Sequence, residues 1–222
     1  MRPVIAAVLL CLVLASSAAA QEDARRRQAA AEAYDRGTAA YLDGDYKEAA
    51  QWFETANRMA PAAPALVQAI RSHQRAENFP RAATLALRLQ TDYADDKASS
   101  EYAGSVLGDL SPQYLRVDVT CDQDCKLDLD GKLQEFKSFF VDPAGEHTLV
   151  ATFESGSKTQ KISGEAGGTR AVEFAAPPPP PTPKVKPVGP GPGEGGAEPE
   201  EESRKPLPPV VTFIGAGVTG LL

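Results

Sequence analysis

The residue types able to do chemistry are concentrated in a few short stretches. Cys121 and Cys125 flank Asp122 and Asp124, and Asp128 and Asp130 follow, so two thiols and four carboxylates lie close together. Carboxylates at alternate positions before a glycine suggest a calcium loop. Such a loop needs Asp at positions 1, 3 and 5, Gly at 6 and Glu at 12. With Gly131 at position 6, Lys126 takes position 1 and Lys137 position 12, putting cations where ligands are required. The loop fails. Asp128 and Asp130 alternate with Leu127 and Leu129, the pattern of a strand with one solvated face. The cysteines form no C-x-x-C and have no second cluster for a metal, so the expectation is a structural disulfide clamping a turn between adjacent strands. Its gain is modest because the closed loop is short.

The second stretch is the terminal "VVTFIGAGVTGLL", where Gly215, Gly217 and Gly220 match G-x-G-x-x-G. A dinucleotide site also needs the following helix, a second strand and an acidic residue about 20 positions on. Only Leu221 and Leu222 follow Gly220 here, so a dinucleotide site is not the expected reading. The thirteen uncharged residues 210–222 read instead as the start of a transmembrane helix, at about 20 Å shorter than the ~30 Å needed. His73 and His147 are the only histidines. Neither has a Ser, Cys or carboxylate partner at a recognisable catalytic spacing. His73 is expected to pack in a helix and His147 to cover a sheet edge. No catalytic residue, cofactor or metal is expected, and the reading is not an enzyme.

The elements that position these residues follow from composition. Residues 1–20 begin with Arg2, continue through an apolar run from Val4 to Ala15 and end Ala18-Ala19-Ala20, the form of a secretory signal peptide. Residues 24–110 are rich in Ala, Leu, Arg, Gln and Glu, which form helices. Residues 112–176 change to alternating β-branched sequence with Gly and Asp turns. Residues 177–209 hold 13 of the 19 prolines and read as a disordered, extended linker. The formal charge of −7 argues against a nucleic-acid partner, which wants a basic face, and none is expected.

The helical part repeats internally. In the unit from about Ala30 to Ala63, Gly37 lies in a first helix, Gly44-Asp45-Tyr46 turns the chain, and Ala49, Phe53 and Ala56 recur on a second helix before Pro61. Small residues at Gly37, Ala49 and Ala56 let the helices approach while Tyr46 and Phe53 fill the gap. "AENFPRAATLALRLQ" follows about 33 residues later as a weaker copy, without the glycine at Ile70, and a helix around Ser99 to Leu107 caps the array. This resembles the tetratricopeptide repeat (TPR), departing from it at Ala33, where a large residue is usual, and at Arg36, where Leu is usual. The resemblance implies a concave, partner-binding face formed by Tyr34, Asp35, Thr38 and Tyr41 and, from the second repeat, Gln68, Arg71 and Gln74.

The β part reads as short strands, "YLRVDVTC", "CKLDLDGKL" with an Asp130-Gly131 turn, "HTLVATF" and "RAVEFAA", forming a small antiparallel sandwich. "DLDGK" and "PAGEHTLVA" resemble the hairpin and strand entry of the PEGA domain, a β-sandwich of exported bacterial proteins. The fold class expected is therefore multidomain α plus β: a short TPR-like solenoid, a PEGA-like sandwich, a linker and an apolar segment. Repeats, such a domain, a Pro-rich linker and an apolar end together resemble exported proteins common in myxobacteria. The implied function is a scaffold, periplasmic and anchored in the inner membrane, that holds a protein partner in its helical groove. Two alternatives stay open: a sensor that passes head occupancy across the membrane, and a binder of peptidoglycan or other envelope polysaccharide.

Overall fold

The computed structural model describes residues 2–179. Residues 180–222, which hold nearly all of the expected linker and the whole expected membrane segment with its glycines, lie outside the described residues. Five helices come first: α1 Arg2–Asp43, α2 Tyr46–Met59, α3 Ala63–Arg75, α4 Phe79–Asp92 and α5 Lys97–Leu110. Their boundaries follow from backbone chemistry. Pro64 and Pro80 sit in the first turns of α3 and α4, where a missing N–H costs nothing. The Asp96 carboxylate caps α5 by accepting from the N–H groups of Ala98 and Ser99, so this helix begins two residues earlier than expected.

The turn between paired helices is built twice with the same bonds. Gly44 N–H donates to Tyr41 O and Asp45 N–H to Ala40 O; 33 residues on, Glu77 N–H donates to Gln74 O and Asn78 N–H to His73 O. Both turns use a left-handed residue at the helix end, Gly44 at φ 86° and Glu77 at φ 58°. The repeat inferred from side-chain spacing is thus present in the backbone.

Each helix packs on the next along the chain. Gly37 explains how α1 and α2 meet: a Cβ there would stand 2.9 Å from the Phe53 ring. In the second pair the equivalent positions are Ile70 and Ala86, both fully buried, so the bulk has changed helix. Ala33 is buried with Ala56 and Ala65, and the large side chain missing from α1 is supplied by Trp52 of α2. Arg36 lies over that indole at 4.9 Å, which accounts for a charge where Leu was expected.

Seven strands follow: β1 Leu115–Cys121, β2 Lys126–Leu129, β3 Lys132–Gln134, β4 Ser138–Val141, β5 His147–Phe153, β6 Gly156–Ile162 and β7 Thr169–Phe174. One sheet has the order β4-β1-β7 and the other β3-β2-β5-β6. The Asp130-Gly131 turn is present, with both residues at positive φ as a tight hairpin requires. Both sheets contribute to one apolar cluster, led by Val117, Phe139, Leu149 and Ile162.

Three expectations need correction. The sheets are not wholly antiparallel, because β1 and β7 run parallel. Residues 163–168 carry the chain from the edge of one sheet to the other, and a crossover of that kind permits parallel entry. Cys121 and Cys125, whose sulfurs lie 2.01 Å apart, do not bridge neighbouring strands. Cys121 ends β1 in one sheet and Cys125 precedes β2 in the other, so the link spans the passage between sheets. Strands β4 and β6 were also not foreseen. Alternating residues of β4 serve two cores: Phe139 and Val141 enter the sheet cluster, whereas Phe140 enters the helical one. With both faces covered, "SFFV" shows no polar alternation.

That contact joins the helical and β parts into one compact unit. Phe140 N–H donates to Thr84 Oγ1 at 2.9 Å, and the Thr84 hydroxyl in turn donates to Pro80 O. A buried polar contact between α4 and β4 is thereby satisfied on both sides.

Candidate functional site

The expected partner face lies on the first helix of each pair, and the structure joins only part of it. Tyr41 stacks edge-on to Tyr46 with ring centroids 5.1 Å apart. Arg75 covers Tyr46 at 4.8 Å and donates from Nη2 to its hydroxyl at 2.8 Å. One turn away on α3, Arg71 lies 5.3 Å over Tyr102 of α5, whose hydroxyl donates to Gln74 Oε1 at 3.3 Å. Tyr41, Tyr46, Arg71, Gln74, Arg75 and Tyr102 thus form a band across four helices. Its rings are half-buried and both arginines are exposed.

The electrostatics fit this arrangement. The hydrogen bond to Tyr46 and the nearby Tyr41 hold the Arg75 guanidinium above its ordinary value. Burial pushes the Tyr102 phenol up, partly opposed by Arg71. A half-buried aromatic under an exposed guanidinium makes a planar, donor-rich contact surface.

The other expected residues divide. Tyr34 turns inward, edge-on to Phe53 at 5.0 Å, and packs against both helical clusters. Thr38 donates its hydroxyl to Tyr34 O within the helix, and Asp35 is exposed beside it. Gln68 is half-buried, and its carbonyl accepts the Ser72 hydroxyl. Tyr46, Arg75 and Tyr102 belong to this band of contacts but were not among the expected residues. The Arg71/Arg75 spacing of four gave a signal for Arg75, since it places both on one helical face. Tyr102 gave none, because only the packing of α5 brings it there.

Folding gives both histidines carboxylate partners that lie at no recognisable catalytic spacing in the sequence. His73 is buried and meets Glu54 Oε1 through Nε2 at 2.6 Å, with the Asn78 amide 3.3 Å from Nδ1. Arg81 donates to both oxygens of Glu54. Burial alone would raise the Glu54 carboxyl, but hydrogen bonds from His73 and Arg81 and the Arg81 charge outweigh it and hold the group at about 2. A carboxylate so firmly ionised is a poor proton acceptor near neutrality.

Beside it a cavity of about 340 Å³ is lined by Glu54, Arg58, Leu66, Arg88, Glu135 and Phe136, among others. Arg58 pairs with Glu135, and the guanidinium groups of Arg81 and Arg88 lie 5.0 and 4.7 Å from the Phe136 ring. Here the β3–β4 loop is held onto α2 and α4. The arrangement is that of a seam.

On the β side, His147 tethers rather than merely covers. Nδ1 lies 2.7 Å from Asp130 Oδ2 and Nε2 2.8 Å from Asp142 O, and the protonated ring donates to both. Burial would lower its proton affinity, but these two acceptors raise it above the ordinary histidine value. The nearby aspartates lie at the surface, and three of them also accept backbone hydrogen bonds. Asp130 Oδ1 accepts from Thr148 N–H, Asp128 from Gly131 N–H and Asp122 from Ala176 N–H. Each aspartate closes a turn or strand end. Among the described residues no group of three His, Cys, Asp or Glu could hold a metal, and no helix is long and apolar enough to cross a membrane.

No protein-family model, curated protein or solved structure matches this chain.

Proposed function

We propose that this chain is a non-enzymatic, exported interaction protein. In this reading the helices are a short TPR-like array that binds a protein partner, and the two sheets are a PEGA-like sandwich. The linker and the segment 210–222 tether both near the inner membrane from the periplasmic side. The observation that carries the reading is the aromatic–arginine band of Tyr41, Tyr46, Arg71, Gln74, Arg75 and Tyr102. Tyr and Arg are the side chains that most often dominate interfaces, because each offers large contact area with directed hydrogen bonds. Export is supported by the leader-like residues 1–20 and by cysteines at disulfide distance, which persist in an oxidising compartment.

The test is site-directed photo-crosslinking in cells producing the full chain. A crosslinker in place of Gln74 gives a discrete protein adduct, and Tyr46→Ala together with Arg75→Ala abolishes it. A crosslinker at Lys158, on exposed β6, gives none. Equal adducts from both positions, or an adduct at Gln74 that survives both substitutions, overturn the reading.

A further inference from the structure

The parallel pair β1–β7 has a property that none of the binding chemistry requires. The helices enter this pair at the start of β1, and the chain leaves it at the end of β7. Because the strands are parallel, these two attachment points lie at opposite ends of the ladder. Six residue pairs lie between them, from Arg116↔Thr169 to Cys121↔Phe174. Tension between the helical end and the C-terminal end pulls β1 towards its N-terminus and β7 towards its C-terminus. The strands are then sheared along their length, and every rung is loaded at once. Antiparallel terminal strands under the same load would be peeled one rung at a time.

The ends of the ladder are reinforced. At one end Gly167 N–H donates to Tyr114 O and Arg116 N–H to Gly168 O. At the other, Asp122 N–H donates to Phe174 O, and the Asp122 carboxylate accepts from Ala176 N–H at 2.9 Å, just past the last rung. Asp122 sits in the loop closed by Cys121 and Cys125, so its reach is short. Neither strand can slide freely. On its far side β1 is paired to β4, which is packed on α4, and Gln160 of β6 donates to Glu173 O of β7. Val117, Val119, Val172 and Phe174 are rooted in the apolar cluster between the sheets.

We infer that β1 and β7 form a load-bearing clamp, a shear-resistant joint between the helical region and whatever holds the C-terminal end of the chain. The use of such a joint rests on the tethered reading above, but its existence does not, and the experiment addresses the joint alone.

The test is single-molecule force spectroscopy on the full chain in two pulling directions. Held by its two ends, the chain loads β1 and β7 in shear. Held by its N-terminal end and by a click-reactive residue in place of Glu165, just before β7, the same pair is peeled from Arg116↔Thr169. Folded stability is the same in both, so only direction differs. The expected result is a higher rupture force for the β region in the end-to-end direction. Asp122→Ala is expected to shorten its lifetime about tenfold under constant end-to-end load, the effect of losing one charge-assisted hydrogen bond, and to leave the peeling force unchanged. Equal rupture forces in the two directions overturn the proposal, as does an Asp122→Ala effect of the same size in both.

Discussion

Glu54 makes the folded chain sensitive to acid. Its carboxyl sits at about 2 in the folded state against an ordinary 4.5, so the unfolded chain binds this proton more readily. The contribution to stability is therefore complete above the ordinary value and is lost as pH falls towards 2. A shift of that size corresponds to on the order of 3 kcal/mol. Glu54→Gln is expected to lower stability at pH 7 by about 2 kcal/mol, because it leaves the partly buried Arg81 without its charge partner. It should also flatten the decline between pH 5 and 2; urea midpoints measured across that range check both. His147 behaves with the opposite sign. Raised above its ordinary 6.5, it contributes fully below that value and loses its contribution as pH rises through its folded value. Asp130, lowered from 3.8, loses its share as pH falls, so this tether is strongest between the two. Asp130→Asn should bring the His147 imidazole back towards 6.5 in an NMR titration. Glu77 carries backbone strain, since it adopts the left-handed conformation that Gly44 takes in the first turn. Glu77→Gly is expected to stabilise by about 0.5–1 kcal/mol, since glycine adopts that φ without steric cost; thermal unfolding checks it. None of these charge partnerships was legible in the sequence. Glu54 and Arg81 are 27 residues apart and Asp130 and His147 are 17 apart, and only folding brings each pair together.

Among the elements, the helices were the most readable and the strands the least. Helix pairs were legible because small residues at fixed spacing mark close approach, and Gly37 shows the cause directly. Gly37→Ala is expected to cost about 1 kcal/mol. The helix-propensity gain from removing a glycine is outweighed by a methyl 2.9 Å from a Phe53 ring too buried to move. Phe53→Leu in the same chain should remove much of that penalty, giving a non-additive double-mutant cycle in denaturant unfolding. The strands β1, β2, β5 and β7 alternate in sequence because one face is apolar. β6 carries polar residues at most positions and ends its sheet, so neither face gave a pattern. β4 is apolar on both faces and was hidden for the opposite reason. The direction of β7 was illegible as well, since side-chain alternation is the same in parallel and antiparallel pairing.

For the molecule as a whole, Phe140 is the buried side chain by which the β region enters the helical core, with Phe136 packed beside it. Wild type is expected to unfold in one transition, with the fluorescence of Trp52, the single tryptophan, coinciding with amide signals from the sheets. Phe140→Ala should cost about 3–5 kcal/mol and separate the two signals. Coincident transitions in that variant would mean that the seam of Arg58, Arg81, Arg88, Glu135 and Phe136 suffices to couple the parts. By itself the sequence determined the α-then-β order, the repeated helical turns, the Asp130-Gly131 hairpin and the cysteine pair. Each depends on contacts or conformations within a few tens of residues, and composition and spacing record them. Only the tertiary structure decided that β1 and β7 run parallel, that β4 serves two cores, which aspartates are bonded, and that Tyr102 and Arg75 join Tyr41 and Arg71. These depend on which distant surfaces meet, and a side-chain pattern shows that a face is to be buried without showing what covers it.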